Sequence, residues 1–568
     1  MKIHDRRFIN STTLIICASG VVFLSLLAAR QHLRPLLSVM DYYGYSELAR
    51  NIFHRLDFTV RWELDAPFLY PPLFPILAHL MTFLTGDFVR SIEYINIFSA
   101  SFCLIPLFLL AKNVLNVSSA VLAVVFSACY FGLKPCYDPR SDQFFCALII
   151  TICWYVWTIV KDRDQRCRKY VLAGVLMSLA YLAKFSGLLF GLAGAASIFW
   201  YFSRREGGRR EAVRKVAVLF AGAAPLLVGY HLLAFNSSRH STVLSISSYV
   251  FFDANAIYEG GLELRERRMR ELDPAGTEFG YVSFLKKNSP MSFSVKHPAF
   301  VFHKYLWGLK RVVKVTALRI FPFTNIRSDG LILGIQLVFM LLLVLGVFHC
   351  RSSPGIAHIL LFASVIACFP LVHVFDERYI MPFIPLCFVL LLSGVNAVHR
   401  SIDPWIRPRS FRRSLGVVFL VFLSFMYLLN CYNGARRDFA VSKRKGQYEE
   451  FLETASWIRN DARDSAKRIK IMSRYTALSY LTDSAFIILP YTLDWNTIIH
   501  FAVSRDVDYI VIDRAYLVKN RPDQWNYFRN AHVPREHVQM MTDFKINDNV
   551  TWILKLSGRA GPSGESGN

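Results

Sequence analysis

The sequence predicts a polytopic α-helical membrane protein of about eleven spans with a small C-terminal α/β domain. Three observations point there. The 568 residues are 54% hydrophobic and only 19% charged, too apolar for a soluble chain that must cover several domains with charged surface. Apolar windows of about twenty residues, the length that crosses a bilayer, recur along the first three quarters of the chain. Beyond Asn433 the pattern changes to short alternating helix-like and strand-like runs. The same composition excludes disorder and fibrous repeats. The eleven cysteines are scattered, mostly inside apolar runs, with no CxxC pair, and so read as small core residues.

Spans are expected near 12–29, 90–111, 117–135, 142–160, 170–185, 187–203, 215–235, 331–348, 355–373, 379–397 and 414–431. The first resembles a signal peptide, with Lys2, Arg6 and Arg7 before it and Ala28-Ala29 at its end. Its apolar run is long enough to remain as an anchor. The stretch 170–203 as one helix would measure about 50 Å, too long for one crossing. Both its flanks are basic, so it reads as a hairpin turning at Ala183-Lys184-Phe185-Ser186-Gly187.

Net charge is +24, a balance that in a soluble protein would point to nucleic acid. Here location decides otherwise. The N-terminal tail carries Lys2, Arg6 and Arg7, and residues 161–169, 204–215 and 400–413 hold five, six and five basic side chains. Short basic loops face the cytoplasm. The N-terminus is therefore expected inside and the hairpin turn with Lys184 outside. The regions 30–89, 137–142 and 236–330 lie outside as well, as does everything after 435. Residues 1–435 form the membrane domain and 436–568 an extracytoplasmic domain with a Gly/Ser-rich tail. In that second domain the runs Tyr448–Arg463, Ile469–Met472, Tyr475–Leu481, Phe486–Leu489, Trp495–Val503 and 508–512 order as a small, partly parallel sheet with helices.

The polar residues at the outer turns each have an ordinary structural role available. Asp41 opens an aromatic-rich helix, Asp41-Tyr42-Tyr43-Gly44-Tyr45, that suits an interfacial belt. Tyr70-Pro71-Pro72-Leu73-Phe74-Pro75 is a rigid elbow leading into a helix at 73–85, because its prolines remove donors and restrict φ. Asp138 and Asp142 lie at a turn, where Asp142 suits an N-cap. His373-Val374-Phe375-Asp376-Glu377-Arg378-Tyr379 joins two spans, where snorkelling Arg and Tyr are ordinary. Together they mean more: parity puts Asp41, Asp142, Lys184 and Arg378 at one membrane level. Carboxylates beside cations at an apolar boundary suit a reaction between a lipid phosphate and an acceptor hydroxyl. A carboxylate takes the hydroxyl proton and a cation neutralises the phosphate.

These motifs, in this order, resemble the GT-C glycosyltransferases of the family 39 type, the group of protein O-mannosyltransferases, lipid A aminoarabinose transferases and related bacterial enzymes. The matching pieces are Asp41 with its helix, the Tyr70–Pro75 elbow, the 90–112 span, Ser141-Asp142 and Leu182-Ala183-Lys184-Phe185-Ser186-Gly187. The run Glu377-Arg378-Tyr379-Ile380-Met381-Pro382-Phe383-Ile384-Pro385 also matches. The resemblance covers about 35–400. It implies a sugar donor on a polyprenyl phosphate and an acceptor hydroxyl on a lipid, glycan or protein, in a bacterial plasma membrane. It implies Asp41 as general base, Asp142 as supporting acid, and Lys184 or Arg378 near the donor phosphate. Tyr45, Tyr70, Asp138, His373 and Tyr379 are the expected substrate-binding residues around them. Where many relatives carry a second acid after the first-loop Asp, or one before the elbow, this chain has Tyr42 and Tyr70.

Rival readings are a polyprenyl-linked glycan polymerase or ligase, a transporter or flippase, and a scaffold without catalysis. Transporters place ionisable residues or broken helices near the midplane, whereas these acids gather at one face. Asp162-Arg163-Asp164 and Asp506-Val507-Asp508 match the DxD of nucleotide-sugar enzymes but sit in a charge cluster and beside a strand. No cofactor motif appears, and no tightly bound catalytic metal is expected, although a divalent ion stays open. The topology has a direct check. A reporter active only in the cytoplasm, fused after Gly434, should be silent, and strong activity there would overturn the sidedness.

Overall fold

The structure is a computed structural model. It describes residues 2–30, 41–58, 60, 70–133, 140–162, 166–204, 208–238, 251, 254–260, 264, 290–320, 329–349, 354–369, 377–402, 447–463, 468–474, 476–490, 492–514, 517–518, 522–530, 532–533, 538–546 and 549–556. Helices stand over ten of the eleven expected spans, and the eleventh, 414–431, lies outside the described residues, as does the Gly/Ser-rich tail. By length and composition, Phe88–Ala111, Asp142–Lys161 and Gly208–Phe235 can each cross a membrane, and shorter apolar helices pack around them.

The N-terminal helix α1 spans Lys2–Arg30, and α2 spans Asp41–Arg55. The proline elbow releases α3, Leu73–Thr85, where it was expected. Pro75 fits because the first-turn N–H groups of a helix have no internal partner to lose. Gly86 ends α3 at φ 70°, its N–H returning to the Thr82 carbonyl, and Asp87 caps α4, Phe88–Phe102, by accepting from the Arg90 N–H at 2.7 Å. The expected span 90–111 is two helices, α4 and α5 (Leu104–Ala111), broken at Cys103. Pro106 explains the break, since its ring clashes with the carbonyl of Phe102.

Next come α6 (Val117–Leu133), α7 (Asp142–Lys161), α8 (Cys167–Ala183), α9 (Gly187–Ser203) and α10 (Gly208–Ser238). Helices α8 and α9 form the expected hairpin. Gly187 permits its turn, because a Cβ there would lie 2.4 Å from the Ala180 backbone. Helices α8 and α10 also cross at backbone distance: a Cβ on Gly174 would stand 2.0 Å from the Leu219 carbonyl, and one on Gly222 2.4 Å from that of Val171. The Ser178 hydroxyl adds a bond to the Ala223 carbonyl at 3.1 Å. Beyond these lie α11 (Pro298–Ile320), α12 (Asp329–His349), α13 (Pro354–Ser364) and α14 (Phe383–Ile402). The span expected from 379 starts at Phe383 instead, because Met381 precedes Pro382 and is disfavoured from helical backbone. Glu377–Ile380 form a 3₁₀ turn before it.

The C-terminal region folds as α15 (Gln447–Asp461), β1 (Lys470–Ser473), α16 (Thr476–Thr482), β2 (Ala485–Ile488), α17 (Trp495–Ser504), β3 (Tyr509–Asp513), α18 (Pro522–Asn530), β4 (Val538–Ile546) and β5 (Asn549–Leu556). The sheet order is β2-β1-β3-β5-β4, with β1 parallel to β2 and β3, and β5 antiparallel to β3 and β4. The expected α/β order therefore stands, and the β4–β5 pair is an addition to it. Side chains alternate between two cores. Met472, Ile487 and Ile510 meet Trp495 and Phe528, whereas Ile471, Phe486 and Tyr509 meet Phe451 and continue into Tyr43, Phe74 and Phe88 of the helical region.

Through that second core the sheet region grips α2. The Tyr43 and Phe486 rings meet edge to face at 5.8 Å. Arg50 pairs with Asp483 at 2.7 Å, Arg468 with Glu47 at 3.6 Å, and the Tyr480 hydroxyl donates to Asp87 at 3.1 Å. The ion pairs are part-exposed and add little; burial of Tyr43 and Phe486 carries the contact. The helix crossing yields a test. Gly174→Leu must push α8 off α10 and should destabilise the protein by about 1–3 kcal/mol, the usual cost of overpacking. Gly20→Ala, with open space around it, should leave the thermal unfolding midpoint in detergent unchanged.

Candidate functional site

Asp142 is the first residue of α7, but its carboxylate does not cap the helix. It accepts from the ammonium of Lys184, which the extended backbone at the α8–α9 turn (φ −160°, ψ 129°) presents to it. The Asp142 side chain is 8% exposed and that of Lys184 19%, so the pair is shielded from water on most sides. Two rings complete the surroundings of the ammonium, Tyr379 at 4.6 Å and Phe145 at 5.8 Å. Tyr379 is held by stacking on Phe369 at 5.2 Å, and the Arg378 guanidinium lies 6.0 Å from the Tyr379 ring. The 3₁₀ turn before α14 thus brings Tyr379 to the Lys184 ammonium, with a second cation next to it in the chain.

The elbow builds the adjoining wall. Tyr70 packs so closely on α2 that a Cβ at Gly44 would lie 2.4 Å from its ring. Tyr45 meets Tyr70 at 5.3 Å and Phe74 at 5.4 Å, and its hydroxyl lies 3.2 Å from Ser141 Oγ, next to Asp142. Asp41 opens α2 about one turn, or 6 Å, before Tyr45. The structure so brings Asp142, Lys184, Arg378 and Tyr379 together and sets Tyr45 and Tyr70 against them. Asp138 and His373 lie outside the described residues. Among the described residues no three His, Cys, Asp or Glu side chains gather as a metal site.

Three features were not anticipated. Phe145, one turn along α7 from Asp142, is the second ring around Lys184; its i+3 spacing was the available signal. Tyr181 and His231 lie 3.0 Å apart beside Phe185 and Tyr230, an aromatic group next to the Lys184 turn. A cavity of about 1750 Å³ opens between α1, α3, α4 and α7, lined by Phe23, Met81, Phe98, Ala147 and Leu148, with Asp87, Arg90 and Tyr480 among its polar residues. Phe144 lines it and packs on Phe74 at 5.9 Å, so cavity and site share a wall. Glu93 belongs to the cavity lining and is buried, an acid within the expected 90–111 span. Of the DxD matches, Asp508 accepts the Lys470 N–H at 2.7 Å and joins two strands, and Asp162 ends α7; residues 163–164 lie outside the described residues.

Residues 70–231 match the family model of the dolichyl-phosphate-mannose-protein mannosyltransferases. Similar solved structures share the architecture over nearly the whole chain. The oligosaccharyltransferase AglB of Archaeoglobus fulgidus, in complex with an inhibitory peptide and a dolichol-phosphate, superposes with a TM-score of 0.56 at 12% identity, over 97% of this chain and 75% of that one. ArnT of Cupriavidus metallidurans, bound to undecaprenyl phosphate, gives 0.52 at 13% identity, over 97% and 99%. The chain has the GT-C fold. No curated protein matches its sequence. Within this GT-C fold the matched segment contains the elbow, Asp142 and Lys184, the parts from which the site is built.

The buried pair makes a stability prediction. Lys184→Met leaves the Asp142 carboxylate unpaired in a poorly solvated place and should destabilise by about 1–3 kcal/mol. Adding Asp142→Asn should recover part of that loss in thermal unfolding of the solubilised protein. A double variant as unstable as the sum of the singles would show that the two side chains do not interact.

Proposed function

We propose that the chain transfers a sugar from a polyprenyl-phosphate-linked donor to an acceptor hydroxyl at the extracytoplasmic membrane surface. The observation that carries this reading is the placement of Lys184 and Arg378 around Tyr379, beside Asp142 and the aromatic wall of Tyr45 and Tyr70. An ammonium has three donors; one goes to Asp142 and the others are available to a phosphate. Asp142 is then a positioning residue for Lys184. The acceptor oxygen bonds to the sugar's anomeric carbon as the bond from that carbon to the phosphate oxygen breaks. The acceptor proton passes to Asp41, and the polyprenyl phosphate departs with its new charge neutralised by Lys184 and Arg378. Tyr45, Tyr70, Tyr379 and, by their places in sequence, Asp138 and His373 bind the substrates.

The basic loops support a multi-pass chain with a cytoplasmic N-terminus and residues 436–568 as a separate outer domain, and the resemblance to bacterial enzymes supports a bacterial plasma membrane. The cavity beside the site, large and mostly apolar, supports substrates that carry long hydrocarbon chains. Phe144 of its lining packs on Phe74, which meets Tyr45 of the aromatic wall.

The reading is tested with the purified protein in lipid nanodiscs, a radiolabelled polyprenyl-phosphate sugar and extracted membrane lipids and glycans. Labelled product should form. Asp41→Asn keeps the shape but removes the base, and should slow transfer by roughly 10²–10⁴-fold, with expression unchanged. Asp57→Asn should be nearly silent. Full transfer by Asp41→Asn would move the base elsewhere.

A further inference from the structure

Away from the Asp142–Lys184 site, α11 buries a lysine. Lys304 is 2% exposed, its ammonium donates to Asn255 Oδ1 at 2.8 Å, and it stands 4.3 Å from the Phe251 ring centre. Among the described residues no carboxylate pairs with it. Asn255, in the helical segment 254–260, is also 2% exposed, and its Nδ2 is buried without a partner. Burial pulls the Lys304 ammonium from its ordinary value down to about 8. A lysine is seldom buried without a counter-charge, and an orphaned amide donor is seldom left so.

We propose that Lys304 and Asn255 form a second anion site, which takes a phosphate group. The two atoms of one carboxamide lie only about 2.3 Å apart. Because Lys304 Nζ contacts Oδ1, it lies within about 5 Å of the orphaned Nδ2, a spacing that one anion can bridge. The Phe251 ring answers part of the ammonium's charge but nothing of the amide's need. A deprotonated lysine would relieve the charge and still leave Nδ2 unmet. An anion with several oxygens satisfies both donors.

The helix favours phosphate as that anion. Residues 290–320 contain six Lys and Arg and no Asp or Glu. On α11 the exposed side chains Phe302, Leu306 and Val313 recur at helical spacing, giving an apolar face suited to a bilayer surface. A basic helix at that level meets phosphate above other anions, either on a lipid head group or free in solution. This inference stands apart from sugar transfer.

The test uses the full-length protein in phosphatidylcholine nanodiscs and follows acylation of Lys304 by an amine-reactive reagent, read by peptide mass mapping. Inorganic phosphate is titrated in one arm, and phosphatidic acid is added to the discs in the other. At least one probe should slow Lys304 labelling saturably, by roughly tenfold or more. Protection by the lipid alone assigns a head group, and protection by inorganic phosphate assigns the free ion. Asn255→Leu should require about tenfold more probe for the same protection. Labelling unaffected by either probe, or equal protection in Asn255→Leu, would make Lys304 a structural lysine and overturn the site. A second measurement covers a misfolded variant. The effective probe should raise the unfolding temperature of the native protein more than that of Lys304→Met; an identical rise would count against the site.

Discussion

An ion pair held at the ends of apolar helices is the constraint on which the rest depends. Lys184 sits where α8 hands over to α9, and Asp142 sits where α7 begins. Neither charge has much access to water, so each needs the other. Their contact fixes the turn of the hairpin against the start of a spanning helix. Tyr379 then joins a third segment to the pair through its ring, and Arg378 comes with it. One electrostatic requirement thereby gathers residues from positions 142, 184 and 378–379.

The packing around the pair is built for small tolerances. Gly174, Gly187 and Gly222 let α8 approach its neighbours at backbone distance, which is how helices associate where hydrophobic burial gives little drive. Tyr45 and Tyr70 interlock over Gly44, setting the elbow against α2. The sheet region clasps the far side of the same helix through Tyr43 and Phe486, so α2 is fixed on both faces. A helix that begins at Asp41 is therefore anchored by two separate parts of the chain.

Much of this was legible in the sequence. The hairpin at 183–187 followed from helix length and two basic flanks, and α3 followed from three prolines. The β1, β2 and β3 strands followed from short apolar runs between helix-like ones. What escaped had weaker local signals. The β4–β5 pair flanks Asn547-Asp548, a turn signal easily lost beside polar neighbours. Pro106 and Pro382 shortened two helices that hydropathy alone extends. At the site, one membrane level was inferable from loop parity, but the Lys184–Asp142 contact is long-range and no spacing rule gives it. The cavity behind Phe144 likewise emerges only when α7 is packed against α1, α3 and α4, whereas Phe145 had the weak signal of its i+3 spacing from Asp142.

The central claim is that Lys184, held by Asp142, receives a lipid-linked phosphate at this GT-C site. It is tested most directly by a cryo-electron microscopy structure of the protein in nanodiscs with polyprenyl phosphate. The account predicts a phosphate oxygen about 3 Å from Lys184 Nζ, within hydrogen-bond reach, with Arg378 turned toward the same group. A phosphate bound elsewhere, with Lys184 engaged by Asp142 and aromatic rings alone, would contradict it.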